Sequence, residues 1–450
     1  MMKILLLSPR SEFPDVTPGW LRIEQMSLLI LEALSDLGHQ VRSVEEEVEP
    51  VPFDEDWDLV GITAMTATAH RAYDLAQRFR KAGAKVVLGG IHPSVLPNEA
   101  AEHADAVVVG EAEGVWEKIV EDARHDRLHR IYSNQVPDIQ KIPIVHYKNR
   151  NQKFPPVFHP VVASRGCPQD CEFCSVTQMY GRRFRRLPVK RVIEQIRWRS
   201  SNNVMFLDDN LAANRSWALE LFESLKPYKL KIITQVPASF MLDDELFDAS
   251  ISAGLSAVFV GIETIDEAAR TYLKKAVSIY EYKKAILRCR KAGVVFHAAF
   301  IFGMDFHDTS IFDRTLDFIM EQNIPSVSAY VLTPYPGTAL FKRLRKQRRL
   351  LHQNWSYYDH LTPVFRPQRM SFEELTEGYL RFRQQLYSLK GILLRFPAQV
   401  RIKPLAYIAM SLAFHRTTGL LKEHYKRYFD WLETQFGHSG SNREFVTPKI

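Results

Sequence analysis

Along the first 125 residues, short apolar runs alternate with stretches whose apolar positions recur every three or four residues. The runs predict strands over 3–8, 41–44, 59–63, 85–89 and 106–109. The periodic stretches predict helices over 21–37, 69–82, 97–103 and 114–122. Alternation of this kind implies a parallel sheet with helices on both faces. Residues 126–155 lose the pattern, and Pro137, Pro143 and Lys148-Asn149-Arg150-Asn151 read as a linker. The alternation returns at 156, with strands predicted over 157–164, 203–207, 231–235, 257–261, 294–302 and 327–332. Helices such as 189–200, 243–253, 280–292 and 312–322 separate them. Six such units predict an open (β/α)6 partial barrel with its chemistry at the C-terminal strand ends. The fold class is α/β: a Rossmann-like domain over 1–125, a linker over 126–155, the barrel over 156–367 and a helical extension over 368–450.

Composition changes this picture little. Apolar content of 46% and charged content of 25% are ordinary for a globular chain of 450 residues. The run Lys3-Ile4-Leu5-Leu6-Leu7 is too short for a signal core, and no stretch reaches a membrane span. The best candidate, 391–421, is broken by Arg395, Arg401, Lys403 and Arg416. The charge is uneven. Residues 341–450 carry 20 Lys/Arg against 8 Asp/Glu, while residues 1–340 carry 39 against 44. Basic charge at one end points to an interaction surface there, and amphipathic helices in that region suit peripheral contact with an anionic membrane. A helical cap packed on the barrel would carry the same pattern. No Walker A or zinc-finger pattern is present, and nucleic acid is not an expected partner.

Three of the four cysteines stand together, at Cys167, Cys171 and Cys174 in Ser164-Arg165-Gly166-Cys167-Pro168-Gln169-Asp170-Cys171-Glu172-Phe173-Cys174. Three thiolates on one loop can hold three corners of a [4Fe-4S] cluster and leave the fourth iron open. Structural zinc would need a second Cys or His pair nearby. Cys289 stands alone in a helical pattern and reads as a packing residue. Clustered, unpaired cysteines imply a reducing compartment, and hence a cytoplasmic protein, with any membrane contact at the cytoplasmic face.

The cysteine spacing, with Phe173 just before the last ligand, resembles the radical S-adenosylmethionine (SAM) superfamily. There the open iron chelates SAM, and an electron from the cluster cleaves the sulfonium to a 5′-deoxyadenosyl radical. The first domain adds a second resemblance. Its strand ends carry Thr63-Ala64-Met65-Thr66, Gly89-Gly90-Ile91-His92-Pro93-Ser94 and Gly110-Glu111-Ala112-Glu113. These are similar to the cobalamin-binding domain found ahead of many radical SAM modules. The resemblance implies that Thr63, Thr66, Gly89, Gly90, Gly110 and Glu111 meet cobalamin. The Asp-x-His-x-x-Gly motif that supplies a histidine to cobalt is replaced by Ser8-Pro9-Arg10-Ser11-Glu12-Phe13-Pro14. His92 is the one candidate replacement, although a loop His ahead of Pro also has an ordinary structural reading.

In the barrel, Asp208-Asp209-Asn210 ends the second strand and Gly261-Ile262-Glu263 the fourth. Carboxylates at barrel strand ends are typically functional. The resemblance places Asp208, Asp209, Asn210 and Glu263 at SAM's polar groups, whereas one Asp or Asn would suffice as a helix cap. Arg182, Arg183, Arg185 and Arg186 read as a solvated face. The family implies methyl transfer to an unactivated carbon, or cyclisation, ring rearrangement or C–C bond formation, on a small-molecule or lipid-like substrate. A flavodoxin, ferredoxin or reductase would donate the electron. A non-catalytic iron–sulfur protein is the alternative class, and a methylthiotransferase is disfavoured because residues 1–166 hold no cysteine.

Overall fold

The structure is a computed structural model that describes residues 1–13, 23–35, 38–134, 138–145, 157–275, 277–396 and 404–436. Six parallel strands form the first sheet: β1 (Lys3–Ser8), β2 (Gln40–Glu45), β3 (Leu59–Thr63), β4 (Lys85–Gly89), β5 (Ala106–Val109) and β6 (Ile131–Ser133). Their order is β2-β1-β3-β4-β5-β6. Successive side chains point to opposite faces, so Leu5, Leu7, Val60 and Ile62 pack with Ala72 and Phe79 of the helix Ala69–Lys81. Ile4, Leu6 and Leu59 pack instead with Leu28 and with Trp116 and Ile119 of the helix Trp116–Arg124. Both faces are dry, which is why the strands read as continuous apolar runs. β6 lies inside the stretch read as a linker; residues 135–137 and 146–155 of that stretch are outside the described residues. The predicted helix over 21–37 is described as Met26–Ser35.

The second sheet contains β7 (His159–Val161), β10 (Asn203–Phe206), β11 (Lys231–Gln235), β12 (Leu255–Glu263), β13 (Val295–Phe302) and β14 (Ser326–Val331), adjacent in chain order and all parallel. Between β7 and β10, β8 (Ser164–Arg165) and β9 (Arg185–Arg186) form a short antiparallel pair. The outward positions Val204, Phe206, Val258, Val260, Phe300 and Val331 are at most 1% exposed beneath the helices. The alternate positions Met205, Ile233, Phe259, His297, Ser328 and Tyr330 are only half-buried. Six strands do not close a barrel, so its inner face stays accessible and forms a chamber.

The C-terminal helices cover the exposed edge at β14. An edge strand leaves every second carbonyl unpaired, and two tyrosines answer that need. Tyr379 in the helix Phe372–Leu386 donates to the Ala329 carbonyl at 2.6 Å, and Tyr387 to Val327 at 2.8 Å. Arg395, 2% exposed, donates to the carbonyls of Leu386, Gly391, Ile324 and Pro325. That basic residue therefore belongs to a packed cap and not to a charged surface. Among the described residues, no helix is long and apolar enough to cross a membrane.

Replacing Tyr379 with Phe keeps the ring but strands the buried Ala329 carbonyl. The expected cost is about 1–3 kcal/mol of stability, read by urea unfolding, with faster amide exchange along β14. An unchanged unfolding midpoint would show that the edge is satisfied by other means.

Candidate functional site

The cysteine loop hangs from the β8–β9 pair, with Arg165 opposite Arg185. It leaves β8 through Gly166 at φ +85°, where a Cβ would collide with the Arg183 carbonyl. Only glycine takes that turn without strain. Cys167, Cys171 and Cys174 follow, half-buried and free of disulfides, and the Cys174 amide donates to the Cys171 carbonyl at 3.0 Å. Burial pushes the Cys171 thiol up, and the Cys174 thiol to about 11. Iron binding requires thiolates, so cluster assembly here is coupled to proton release. Among the described residues, no three Cys, His, Asp or Glu side chains converge as around a single ion. A cubane takes its ligands at separate corners and does not ask for that convergence.

A cleft opens at the C-terminal ends of β3, β4 and β5, enclosing about 680 Å³ with its open mouth. Gly61, Thr63, Gly89, Gly90, Gly110 and Glu111 line its floor. A Cβ at Gly110 would meet nothing within 4 Å, so the cleft reaches the backbone there. The far wall comes from the other domain, from Arg165 and from Met179 and Tyr180 on the short helix Val176–Tyr180 that follows the cysteines. One cleft thus touches both the first sheet and the two flanks of the cysteine loop, Arg165 before it and Met179 and Tyr180 after it.

A buried ion-pair group holds the two walls together. Arg165 donates to Glu111 and to Glu113, each at 2.6 Å, and Arg185 donates to both oxygens of Glu111. Burial works to raise the Glu113 carboxyl, but the charge and hydrogen bond of Arg165, with Arg185 behind it, outweigh that and lower it. Arg185 is therefore not part of a solvated face, whereas Arg182 is 65% exposed beside Asp170. Glu111 serves this clamp as well as the cleft.

Comparison with known proteins agrees with this arrangement. The radical SAM superfamily profile matches residues 161–319, the B12 binding domain profile residues 27–120, and a domain of unknown function (DUF4070) residues 338–430. The bacteriochlorophyllide d C-8(2)-methyltransferase of Chlorobaculum tepidum is 31% identical over 87% of this chain and 91% of its own. The chain belongs to the cobalamin-dependent radical SAM enzymes. The C-12(1)-methyltransferase of the same organism is 26% identical over 90% of this chain and 91% of its own. In fold, the radical SAM methyltransferase TsrM of Kitasatospora setae aligns with a TM-score of 0.63 at 16% identity, over 77% of this chain and 76% of that one.

As a member of this family the enzyme uses a [4Fe-4S] cluster, SAM and cobalamin. Its residues fit all three. The thiols supply the cluster's donor set, and the glycine-lined cleft admits a bulky planar cofactor to the backbone. For a small polar cofactor, the buried Asn210 Oδ1 finds no partner among the described residues.

The remaining candidates divide by position. Asp208 is 2% exposed and ties β10 to β8, accepting from Ser164 Oγ and, at 3.2 Å, from the Ala163 amide. Asp209 is half-buried, and accepts from the Gly166 amide at 3.3 Å. Glu263 has φ +66°, an uncommon conformation for a side-chain-bearing residue. Its carboxylate folds back over Gly261, where a Cβ would collide with it, and meets Lys275 Nζ at 3.1 Å. Thr63 lines the cleft; Thr66 and His92 are buried and do not. The His92 ring lies edge-on to Trp355, with Nε2 3.2 Å from Glu99. Phe173 sits in a separate small cleft with Tyr272 and Phe306. Cys289 is wholly buried, as a packing residue should be.

Sequence reasoning missed Lys275, Arg165 and Glu113. Lys275 lies in a Lys-Lys pair that looks solvated, yet it faces both Glu263 and Cys171. Arg165 and Glu113 stand inside singled-out segments without a role read for either, and their pairing spans 52 residues.

Burial raises the Asp208 carboxyl to about 7. A carboxyl raised above its unfolded value near 4 favours the native state at low pH, and that contribution is lost as pH climbs through the folded value. Asp208→Asn should therefore gain stability relative to the parent as pH rises from about 4 to about 7. Thermal unfolding of the metal-free protein across that range measures it. A difference that stays flat with pH would show Asp208 ionised throughout.

Proposed function

We propose that this enzyme places a methyl group on an unactivated carbon of a hydrophobic, ring-rich small molecule. A tetrapyrrole of the bacteriochlorophyllide type is the substrate class to test first. The cleft shared between the glycines of the first sheet and the helix after the cysteines supports this reading, together with near-full-length similarity to two bacteriochlorophyllide methyltransferases. When bound, the cluster and SAM supply a 5′-deoxyadenosyl radical and cobalamin supplies the methyl group.

In this reading Cys167, Cys171 and Cys174 hold the cluster. Asp209, Asn210 and Glu263 hold the polar groups of SAM, with Asp208 fixing the strand end beneath them and Phe173 packing beside the loop. Thr63, Gly89, Gly90, Gly110 and Glu111 shape the cobalamin site, and Thr66 and His92 support it from behind. The chamber face takes the substrate. Phe259 and His297 stack there at 4.5 Å, and burial pushes the imidazole down to about 4, so the pair offers a flat, uncharged surface. The domain division follows the same logic: 1–125, extended by β6, for cobalamin, 156–367 for the radical, and the helices of the 368–450 extension as a cap, its residues 397–403 and 437–450 lying outside the described residues. A flavodoxin- or ferredoxin-type protein supplies the electron.

Anaerobically reconstituted protein should cleave SAM to 5′-deoxyadenosine under reduction. Cys171→Ala should abolish that activity, and Cys289→Ala should leave it near the parent level. Mass gain of one methylene on a tetrapyrrole acceptor identifies methyl transfer; ring closure without it identifies the cyclase alternative. Undiminished SAM cleavage by Cys171→Ala would sink the assignment.

A hydrophobic substrate suits contact with a membrane at the cytoplasmic face. Leu389, Leu393 and Leu394, 59 to 71% exposed, support it. Leu393→Asp with Leu394→Asp should reduce flotation with anionic vesicles at least several-fold. Equal flotation of parent and variant would remove this patch from consideration.

A further inference from the structure

The helix Ala339–Lys346 follows β14 and carries no acidic residue. Its inner side is buried through Leu340, Phe341 and Leu344. Its start is fastened to the cysteine loop: the Leu340 amide donates to the carbonyl of Glu172, the residue after Cys171, at 2.9 Å. Arg343 repeats the attachment, donating to the Glu172 carboxylate at 2.8 and 3.2 Å and to Asp305 at 2.6 Å. Arg349 takes the other Asp305 oxygen. The acids at this face are thus neutralised from within. Lys342, Arg345 and Lys346 remain exposed. At positions i, i+3 and i+4 they share one side of the helix. Lys346 is six residues beyond Leu340, roughly 9 Å along the axis.

Beside the helix opens the small cleft, about 300 Å³ counted with its open mouth, that contains Phe173, the residue between Glu172 and Cys174. Tyr272, 45% exposed, stands at its mouth and donates to Glu172 at 2.9 Å. Lys274 is exposed two residues further on. An aromatic cleft that reaches the cysteine loop, next to a helix whose exposed cations have no carboxylate partner among the described residues, is suited to a partner bearing carboxylates around a redox centre.

We infer that the Lys342–Arg345–Lys346 face, with the Tyr272–Phe173 cleft at its foot, is the docking surface for an acidic one-electron carrier protein. The inference rests on the radical chemistry proposed above and names where its electron enters. The carrier's reduced flavin or iron–sulfur centre loses one electron and the enzyme's cluster gains it; no bond or proton moves. Charge complementarity sets the encounter rate and makes it salt-dependent.

The test uses the reconstituted holoenzyme and an acidic bacterial flavodoxin. Binding of flavodoxin, followed by calorimetry at low salt, should weaken at least tenfold in the triple variant K342E/R345E/K346E and should lose its salt dependence. Deoxyadenosine formation should fall in parallel with reduced flavodoxin but stay at the parent level with dithionite, which needs no docking. Failure of the parent with dithionite would overturn the radical reading itself. A parent active with dithionite whose flavodoxin binding is absent, or unaltered by the charge reversal, overturns the docking surface alone. Loss of anionic-vesicle flotation in the triple variant, with flavodoxin binding intact, would assign the face to a membrane instead.

Discussion

The group formed by Glu111, Glu113, Arg165 and Arg185 is the constraint on which the site depends. Two carboxylates from the loop after β5 meet two guanidinium groups from the stem of the cysteine loop, with Glu111 2% and Glu113 8% exposed at the side chain. Any one of these charges left alone would be expensive, and removing a partner from such a group costs about 3–5 kcal/mol. The intact group adds little net stability, because desolvation offsets most of the attraction. What it supplies is register. Arg165 is separated from Cys167 by one glycine, and Glu111 follows directly on Gly110 at the cleft floor. Fixing the guanidinium to the carboxylate therefore fixes the cysteine loop relative to the cleft. An apolar contact could slide; a guanidinium bridging two carboxylates, with a second guanidinium bidentate on one of them, cannot.

The same economy of position governs the barrel. Its outer face carries the hydrophobic burial that holds sheet to helices, so its inner face is free of that duty and remains accessible. One strained residue stands at the end of a strand of that sheet. Glu263 adopts a left-handed backbone where the β12–β13 register slips, and Gly261 leaves the space into which its carboxylate turns. A residue held in such a conformation persists only where its surroundings over-determine it, and Lys275 is part of that determination. The lysine's second effect is electrostatic: it favours the thiolate of Cys171 against the burial that raises it.

The legibility of this architecture in the sequence follows from where each interaction lies. β1, β3, β4, β5 and β11 were readable to the residue because each is an apolar or β-branched run bounded by turn residues. β6 escaped because it is a three-residue edge strand, Ile-Tyr-Ser, too short to show any period. The cysteine loop was readable from spacing alone. The clamp was not, since its partners are 52 to 74 residues apart and each looks like an ordinary surface charge in its own neighbourhood. Asp208 and Asp209 are adjacent and chemically identical, and only burial distinguishes the one beneath the loop from the one facing it.

Burial also decides what the basic C-terminal region means. A surplus counted from composition becomes a surface potential only after the charges used inside the protein are subtracted. Arg343 and Arg349 neutralise Glu172 and Asp305, and Arg383 and Arg395 are buried against Tyr379 and against backbone carbonyls. The helix geometry then sorts what is left. With 3.6 residues per turn, turning Arg343 inward to the cysteine loop places Lys342, Arg345 and Lys346 on the flank that meets water. The exposed charge stands beside the cysteine loop because the paired charge on the same helix is what fastens that helix there.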